Sequence, residues 1–115
     1  MAACGVDLIL NAEVSGTTST YIGSARILTG SNTYCSFRAM MGPTTAATST
    51  LKVKRFTGGT TIVELTTSGE GLKDVSGSQE TIAGVSLVDD WYDFYAYGSS
   101  VNGSTLVKGI KVTLY

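Results

Sequence analysis

The part of the 115-residue sequence richest in side chains that could bind or react is residues 89–97, Asp-Asp-Trp-Tyr-Asp-Phe-Tyr-Ala-Tyr. If this segment is a β-strand, successive side chains point to opposite sides and form two faces. The faces are Tyr92, Phe94 and Ala96 on one side, and Trp91, Asp93, Tyr95 and Tyr97 on the other. The aspartate indicates that the second face points outward or lies at a rim. Exposed rings suit a protein or sugar contact, because they offer rigid contact area at low entropic cost. The alternative is a strand packed on both faces, with its tyrosine hydroxyls reaching polar partners.

The carboxylates of this segment do not predict a metal or catalytic site. Asp89, Asp90 and Asp93 could supply oxygen ligands to calcium, but the spacing of a calcium-binding loop is missing. Asp90 and Asp93 also fall on opposite faces of a regular strand, so a solvated strand entry is the favoured interpretation. The sequence contains no histidine, which excludes histidine-based nucleophile pairs and histidine metal ligands. We therefore expect no enzyme activity, no metal and no cofactor.

A second candidate contact is basic. Lys52 and Lys54 alternate on one predicted strand face, which is either solvated or in contact with an acidic protein. The chain has 8 basic and 9 acidic residues, a net charge of −1, and no aromatic residues interleave with the lysines. Nucleic acid is therefore not an expected partner. A membrane span is not expected either, because no run approaches about 18 apolar residues.

Alternation with period two dominates the sequence and predicts strands rather than helices. The expected strands are residues 6–14, 21–28, 33–41, 48–56, 61–67, 72–75, 81–88, 89–97 and 105–114. Hairpins are expected at residues 29–32, joining the second and third strands, and at 57–60. The second strand is too mixed for its faces to be assigned, Pro43 is expected to end the third, and the last should present Leu106, Ile110, Val112 and Leu114 together. Cys35 alternates with apolar neighbours and reads as a small core residue.

These features predict an all-β protein, an antiparallel two-sheet sandwich of jelly-roll type with about eight strands. Residues 6–115 would form a single domain, preceded by a flexible or partner-bound segment at residues 1–5. No basic region or apolar stretch precedes the Ala-Ala-Cys-Gly at the start, so no export signal is expected and the chain would be made in the cytoplasm.

Three stretches of the sequence resemble those of a known class of proteins in their residue composition and pattern. They are residues 24–30, 54–61 and 91–97. They resemble strands and turns of small all-β virion proteins of tailed bacteriophages, of the capsid-decoration (cement) or fibre type. The resemblance implies a non-enzymatic subunit located in the virion, often a homotrimer, which contacts the major capsid protein or another virion protein. Such a subunit stabilises the assembled shell because it binds only that shell.

Two expectations about surfaces follow from this interpretation. The N-terminal segment has no charged or strongly polar side chain that would favour exposure to water, so it should pack against a neighbouring subunit. Its residues are Met1, Ala2, Ala3, Cys4 and Gly5. The alternative function is a carbohydrate- or receptor-binding module of a tail fibre or surface spike. That alternative requires an exposed platform of Trp91, Tyr95 and Tyr97.

Overall fold

The computed structural model describes residues 4–30, 35–75 and 88–114 of the chain. These residues contain eight strands and no helix, so the all-β prediction is confirmed. The strands are β1 (Cys4–Ser15), β2 (Thr20–Ile27), β3 (Cys35–Pro43), β4 (Thr48–Arg55), β5 (Thr61–Ser68), β6 (Lys73–Val75), β7 (Asp90–Gly98) and β8 (Ser104–Leu114). The strand expected at residues 81–88 falls almost wholly outside the described residues.

The eight strands form two antiparallel sheets of four strands. One sheet has the order β1-β8-β3-β6 and the other β2-β7-β4-β5. Successive strands therefore alternate between sheets except at the β4–β5 connection, which is the double Greek-key arrangement of a jelly roll. The predicted two-sheet sandwich is confirmed.

One of the two expected hairpins is present. β4 pairs with β5 through the turn at residues 57–60, where Gly58 and Gly59 both have positive φ, +84° and +68°. Such turns match the twist of paired strands and favour glycine. The expected hairpin between the second and third strands is wrong, since β2 pairs with β7 and β3 pairs with β8 and β6. Ala25 and Ile27 of β2 face the sandwich interior from the sheet opposite β3, so both strands bury their apolar faces.

The core lies between the sheets and follows the predicted alternation in most strands. Its fully buried large side chains include Phe37, Met41, Leu51, Tyr92 and Phe94. Cys35 is fully buried, and burial raises the pKa of its thiol to about 12. The thiol is therefore protonated at neutral pH and acts as a small apolar side chain, as the sequence predicts.

Irregular pairing changes the expected faces of β8. Lys108 is an extra residue relative to β3, because Gly109 pairs with Met40 whereas Val107 pairs with Met41. This β-bulge shifts the alternation, so that Val107 and Ile110 are both buried. Leu106 is only partly buried and does not share the face of the apolar residues after it, which corrects that expectation.

The end of β3 also differs from the prediction. The strand runs past Met41 to Pro43, which stands opposite Thr105 of β8. Proline has no N–H to donate to a strand ladder, and the Pro43 carbonyl accepts a hydrogen bond from the Gly71 amide at 2.9 Å. The chain leading into β6 therefore lies directly against the end of β3.

This close approach predicts a severe effect of the Gly42→Ala substitution. A Cβ at Gly42 would lie 1.8 Å from the Gly71 carbonyl oxygen, so the backbone would have to move. We expect a loss of about 1–3 kcal/mol in the free energy of unfolding, measured by urea denaturation. Gly109→Ala is the matched control, because its Cβ would lie 3.4 Å from the nearest atom, an ordinary contact. Equal losses in the two variants would contradict this account of the β3 end.

Candidate functional site

An open groove on the outer face of the β2-β7-β4-β5 sheet has the character of a binding site. This aromatic groove has a volume of about 540 Å³ and is lined by Tyr21, Ser24, Phe56, Trp91 and Asp93. Its three rings come from three different elements and are exposed: 54% for Tyr21, 66% for Phe56 and 48% for Trp91. Concave sites of this kind, mainly aromatic with a few polar groups, are typical of small-ligand binding.

The Trp91 side of the groove is held by backbone and carboxylate hydrogen bonds. Trp91 points outward because the residues alternating with it are buried in the core. The Phe56 amide donates to the Trp91 carbonyl at 2.9 Å, which ties the β4–β5 turn to the start of β7. Asp90 strengthens this junction, since its carboxylate accepts hydrogen bonds from the amides of Thr57, at 3.2 Å, and Trp91, at 2.8 Å.

The Tyr21 side of the groove depends on a β-bulge in β2. Tyr21 pairs with Tyr95 and Gly23 with Phe94, so Ile22 is an extra residue. The bulge reverses the alternation and places both Tyr21 and Ser24 on the outer face. The Tyr21 ring then meets the Tyr95 ring edge-on, with centroids 5.7 Å apart.

The polar side of the groove is a short chain of hydrogen bonds. Ser24 Oγ donates to Asp93 Oδ1 at 2.6 Å, and the Tyr21 hydroxyl lies 2.5 Å from Ser24 Oγ. Because the Ser24 proton is directed at the carboxylate, the Tyr21 hydroxyl is the donor to Ser24. Within the described ranges Asp93 forms no ion pair, so its carboxylate remains an acceptor facing the groove.

The predicted site residues separate into two neighbouring surfaces. Trp91 and Asp93 line the groove, whereas Tyr95 and Tyr97 lie beside it under the predicted basic residues. Lys54 Nζ is 5.1 Å from the Tyr95 ring centroid, and Lys52 Nζ is 5.7 Å from that of Tyr97. These cation–π contacts cover rings that a flat platform would present. The outward face that the sequence predicted therefore exists, but its exposed part is the groove.

Sequence reasoning missed Tyr21, Ser24 and Phe56. Nothing local marks Tyr21 as an outward residue, because a regular β2 would place it on the opposite face from Ser24. Phe56 lay at the end of a predicted strand, and its exposure depends on the turn that follows. The one available signal was an unassignable face in β2, which is the signature that a bulge leaves in a sequence.

Asp89 and Asp90, the other two carboxylates of residues 89–97, bind neighbouring loops through hydrogen bonds. Asp89 accepts hydrogen bonds from the Thr29 amide and hydroxyl, both at 2.8 Å, and these bonds hold its pKa below the usual range. Hydrogen bonds from the Thr57 side chain, and then from the backbone amides of Trp91 and Thr57, lower the pKa of Asp90 in the same way, against the opposing effect of burial. No group of three or more potential metal ligands occurs in residues 4–30, 35–75 and 88–114.

The outer face of the β1-β8-β3-β6 sheet carries a smaller depression of about 290 Å³. Ile9, which is 95% exposed, and Met40, which is 44% exposed, flank Gly109 at its centre. Beside them, Arg38 Nε lies 2.8 Å from Asp74 Oδ1 in an exposed ion pair. We call these three residues, Ile9, Met40 and Gly109, the apolar notch.

The predicted N-terminal contact segment is only partly described. Cys4 and Gly5 belong to β1, where their backbones pair with Leu114 and Thr113 of β8. Met1, Ala2 and Ala3 lie outside the described residues. The contact of this segment with a neighbour stays a prediction. Among the described residues, none forms a helix long and apolar enough to cross a membrane.

Comparisons with known proteins identify the fold but show no family. No protein-family model matches the chain, and no curated protein matches its sequence. Solved structures do resemble it. A carbohydrate-binding module of family CBM36, solved in complex with calcium and xylotriose, has a TM-score of 0.59 at 11% identity, covering 96% of this chain and 98% of its own.

Two further similar structures come from assemblies. The Bacillus endospore appendages, described as disulfide-linked pili, give a TM-score of 0.54 at 9% identity, covering 97% of this chain and 87% of theirs. T=1 particles derived from infectious bursal virus also give 0.54, at 11% identity, and cover 97% of this chain. This chain spans 31% of that protein. At these identities the likeness shows the fold alone: a jelly-roll β-sandwich shared by binding modules and by subunits of particles and fibres.

The two aspartates with lowered pKa predict that acid destabilises the protein. A carboxyl with a lower pKa in the folded state contributes stability above its unfolded pKa and loses it as the pH falls through the folded one. We expect the free energy of unfolding to decrease below about pH 4, the ordinary carboxyl range. Urea denaturation between neutral and acidic pH would measure it.

A double variant, Asp89→Asn with Asp90→Asn, is the control for this pH dependence. It retains side chains of similar shape but removes both titrating groups. Its stability should be lower at neutral pH and vary less between neutral and acidic pH. An unchanged pH dependence would assign the acid sensitivity to other carboxylates.

Proposed function

We propose that the protein is a non-enzymatic carbohydrate-binding module whose ligand lies in the aromatic groove. The observation that carries this proposal is the convergence of three exposed rings, Tyr21, Phe56 and Trp91, on one groove with a polar side. Rings this exposed do not pack in the core, and they lie together only because a bulge and a turn place them there.

The groove has the two kinds of contact that a sugar needs. The C–H-rich faces of a pyranose ring stack on aromatic faces, which combine apolar area with weak C–H contacts. Sugar hydroxyls need acceptors and donors at the edge of the stack. Asp93 supplies a carboxylate acceptor, and the hydroxyl oxygens of Ser24 and Tyr21, whose protons are given to Asp93 and to Ser24, supply further acceptors. The likeness to a xylotriose-binding module supports the fold as a suitable scaffold, while the residues proposed here come from this chain alone.

Trp91→Ala should remove most of the glycan affinity. We expect binding to weaken about tenfold or more, since a ring stack contributes about 0.5–1.5 kcal/mol in addition to the area that it buries. Affinity gel electrophoresis with soluble xylan, glucan, mannan and amino-sugar polymers would first identify a ligand, and calorimetry would measure the change.

Tyr97→Ala is the matched control, because it removes an aromatic ring from the same strand and face but outside the groove. It should leave binding nearly unchanged. Equal losses in both variants, or none in Trp91→Ala, would contradict the assignment to the groove. If no polymer binds the wild-type protein, the proposal fails.

We also propose, as a second function, that the chain is a structural subunit of a virion, either a capsid-decoration protein or a fibre domain. One observation favours it: Ile9 is almost fully exposed beside Met40 in the apolar notch. Exposed apolar groups of this kind mark protein contacts when they are contiguous. The subunit would be made in the host cytoplasm, assemble as a homotrimer and bind the major capsid protein or another virion protein. The likeness to a virus-particle protein supports the scaffold.

Ile9→Asp should reduce self-association under this second proposal. Ile9 takes part in β1 through its backbone and its side chain is exposed, so the fold should persist. A charge in the apolar notch would weaken the contact with a neighbouring subunit. Light scattering after size exclusion should give a trimer for the wild type and a monomer for Ile9→Asp. Val101→Asp, at a loop residue that is 77% exposed, is the control and should remain a trimer. A monomeric wild type, or an unaffected Ile9→Asp, would contradict the proposal.

A further inference from the structure

Asp93 gives the aromatic groove a negative charge. It is the one charged residue among the five that line the groove. Its Oδ1 accepts a hydrogen bond from Ser24, and in the described part of the chain no basic group lies within ion-pair distance of it. A ligand in the groove therefore meets a carboxylate that has no ion-pair partner among the described residues.

The basic residues nearest to the groove are directed elsewhere. Lys54 is the cross-strand neighbour of Asp93, but its ammonium stacks on the Tyr95 ring. Arg55 Nε donates to the Thr57 carbonyl at 3.1 Å. Arg26 stands opposite Trp91 on β2, and its charge acts on Asp89 and Asp90. Among the residues that line the groove, Asp93 is thus the one that carries a charge, although positive side chains lie around them.

The three rings, like the carboxylate, favour a positively charged ligand. The face of an aromatic ring carries negative electrostatic potential, so rings around a pocket attract cations, most strongly when one of them is tryptophan. A carboxylate beside such rings adds direct charge attraction. An acidic sugar would be repelled by Asp93, and a neutral sugar would gain stacking without gaining charge attraction.

We propose that the aromatic groove selects glycans that carry a positively charged nitrogen, such as a protonated amino sugar. The inference rests on the proposed carbohydrate-binding function and specifies its ligand class. Asp93 would determine the charge preference, and Trp91, Tyr21 and Phe56 would supply both the stack and the cation–π contact. An exposed ion pair and an exposed cation–π contact together correspond to a preference of about fivefold to tenfold over the matched neutral sugar.

Trp91 allows a direct measurement, because it is the single tryptophan of the sequence and lies in the groove. Its fluorescence would be followed during titration with glucosamine oligomers and with N-acetylglucosamine oligomers of equal length. The titrations would be run at about pH 5.5, where the sugar amine is protonated. We expect tighter binding of the glucosamine series, with a preference that decreases as salt is added.

Asp93→Asn tests the source of the preference. The substitution keeps the shape and the hydrogen bond with Ser24 but removes the charge, so the ratio of the two affinities should fall to about one. Glu64→Gln is the matched control, since Glu64 is a carboxylate on the same sheet face outside the groove. It should keep the wild-type ratio.

The outcomes separate this inference from the function on which it rests. Equal binding of both oligomers by the wild type, or a preference that survives in Asp93→Asn, would overturn the charge selection and leave carbohydrate binding intact. Tetramethylammonium serves as the probe for a groove that binds cations without sugars. A fluorescence change with tetramethylammonium but with neither oligomer would overturn the glycan function and this inference together.

Discussion

The strict alternation of β7 is the constraint on which the other features depend. β7 is an inner strand, paired with β2 on one side and β4 on the other, and its residues Tyr92, Phe94 and Ala96 fill the core. Moving the register by one residue would expose Tyr92 and Phe94 and bury Asp93, which is a large loss in apolar burial together with an unpaired buried charge. The core therefore fixes the direction of Trp91 and Asp93, and the groove is positioned by forces that have nothing to do with a ligand.

Two irregular features of the sheet, a bulge and a turn, bring other groove residues beside β7. A bulge turns Tyr21 to the outer face, and the β4–β5 turn brings Phe56 against the Trp91 carbonyl. Asp90 strengthens the second of these contacts, because it binds the amides of Thr57 in the turn and of Trp91 at the start of β7. A site held by backbone hydrogen bonds and a buried carboxylate is largely organised before a ligand arrives, which lowers the entropic cost of binding.

The sequence predicted those parts of the molecule that depend on local rules. The alternation in β3, β4, β5 and β7 identified their core faces, and the Gly58-Gly59 pair identified the β4–β5 turn, because both signals act within a few residues. The faces of β2 and β8 were not predictable, since Ile22 and Lys108 are extra residues only relative to particular partner strands. Choice of partner also explains the wrong β2–β3 hairpin. The groove was only half predicted for the same reason: Ser24 and Asp93 are 69 residues apart, and only the sheet order brings them together.

The two proposed functions use opposite sides of the sandwich. The aromatic groove lies on the outer face of the β2-β7-β4-β5 sheet, and the apolar notch lies on the outer face of the other sheet. A subunit that contacted its neighbours through the notch would leave the groove open, so assembly and glycan binding need not compete. Several grooves held in one assembly would also bind a repeating polymer more tightly than one, because each further contact is intramolecular. An open groove of modest affinity is sufficient in that arrangement, and this explains how three half-exposed rings without a deep pocket could serve as a recognition site.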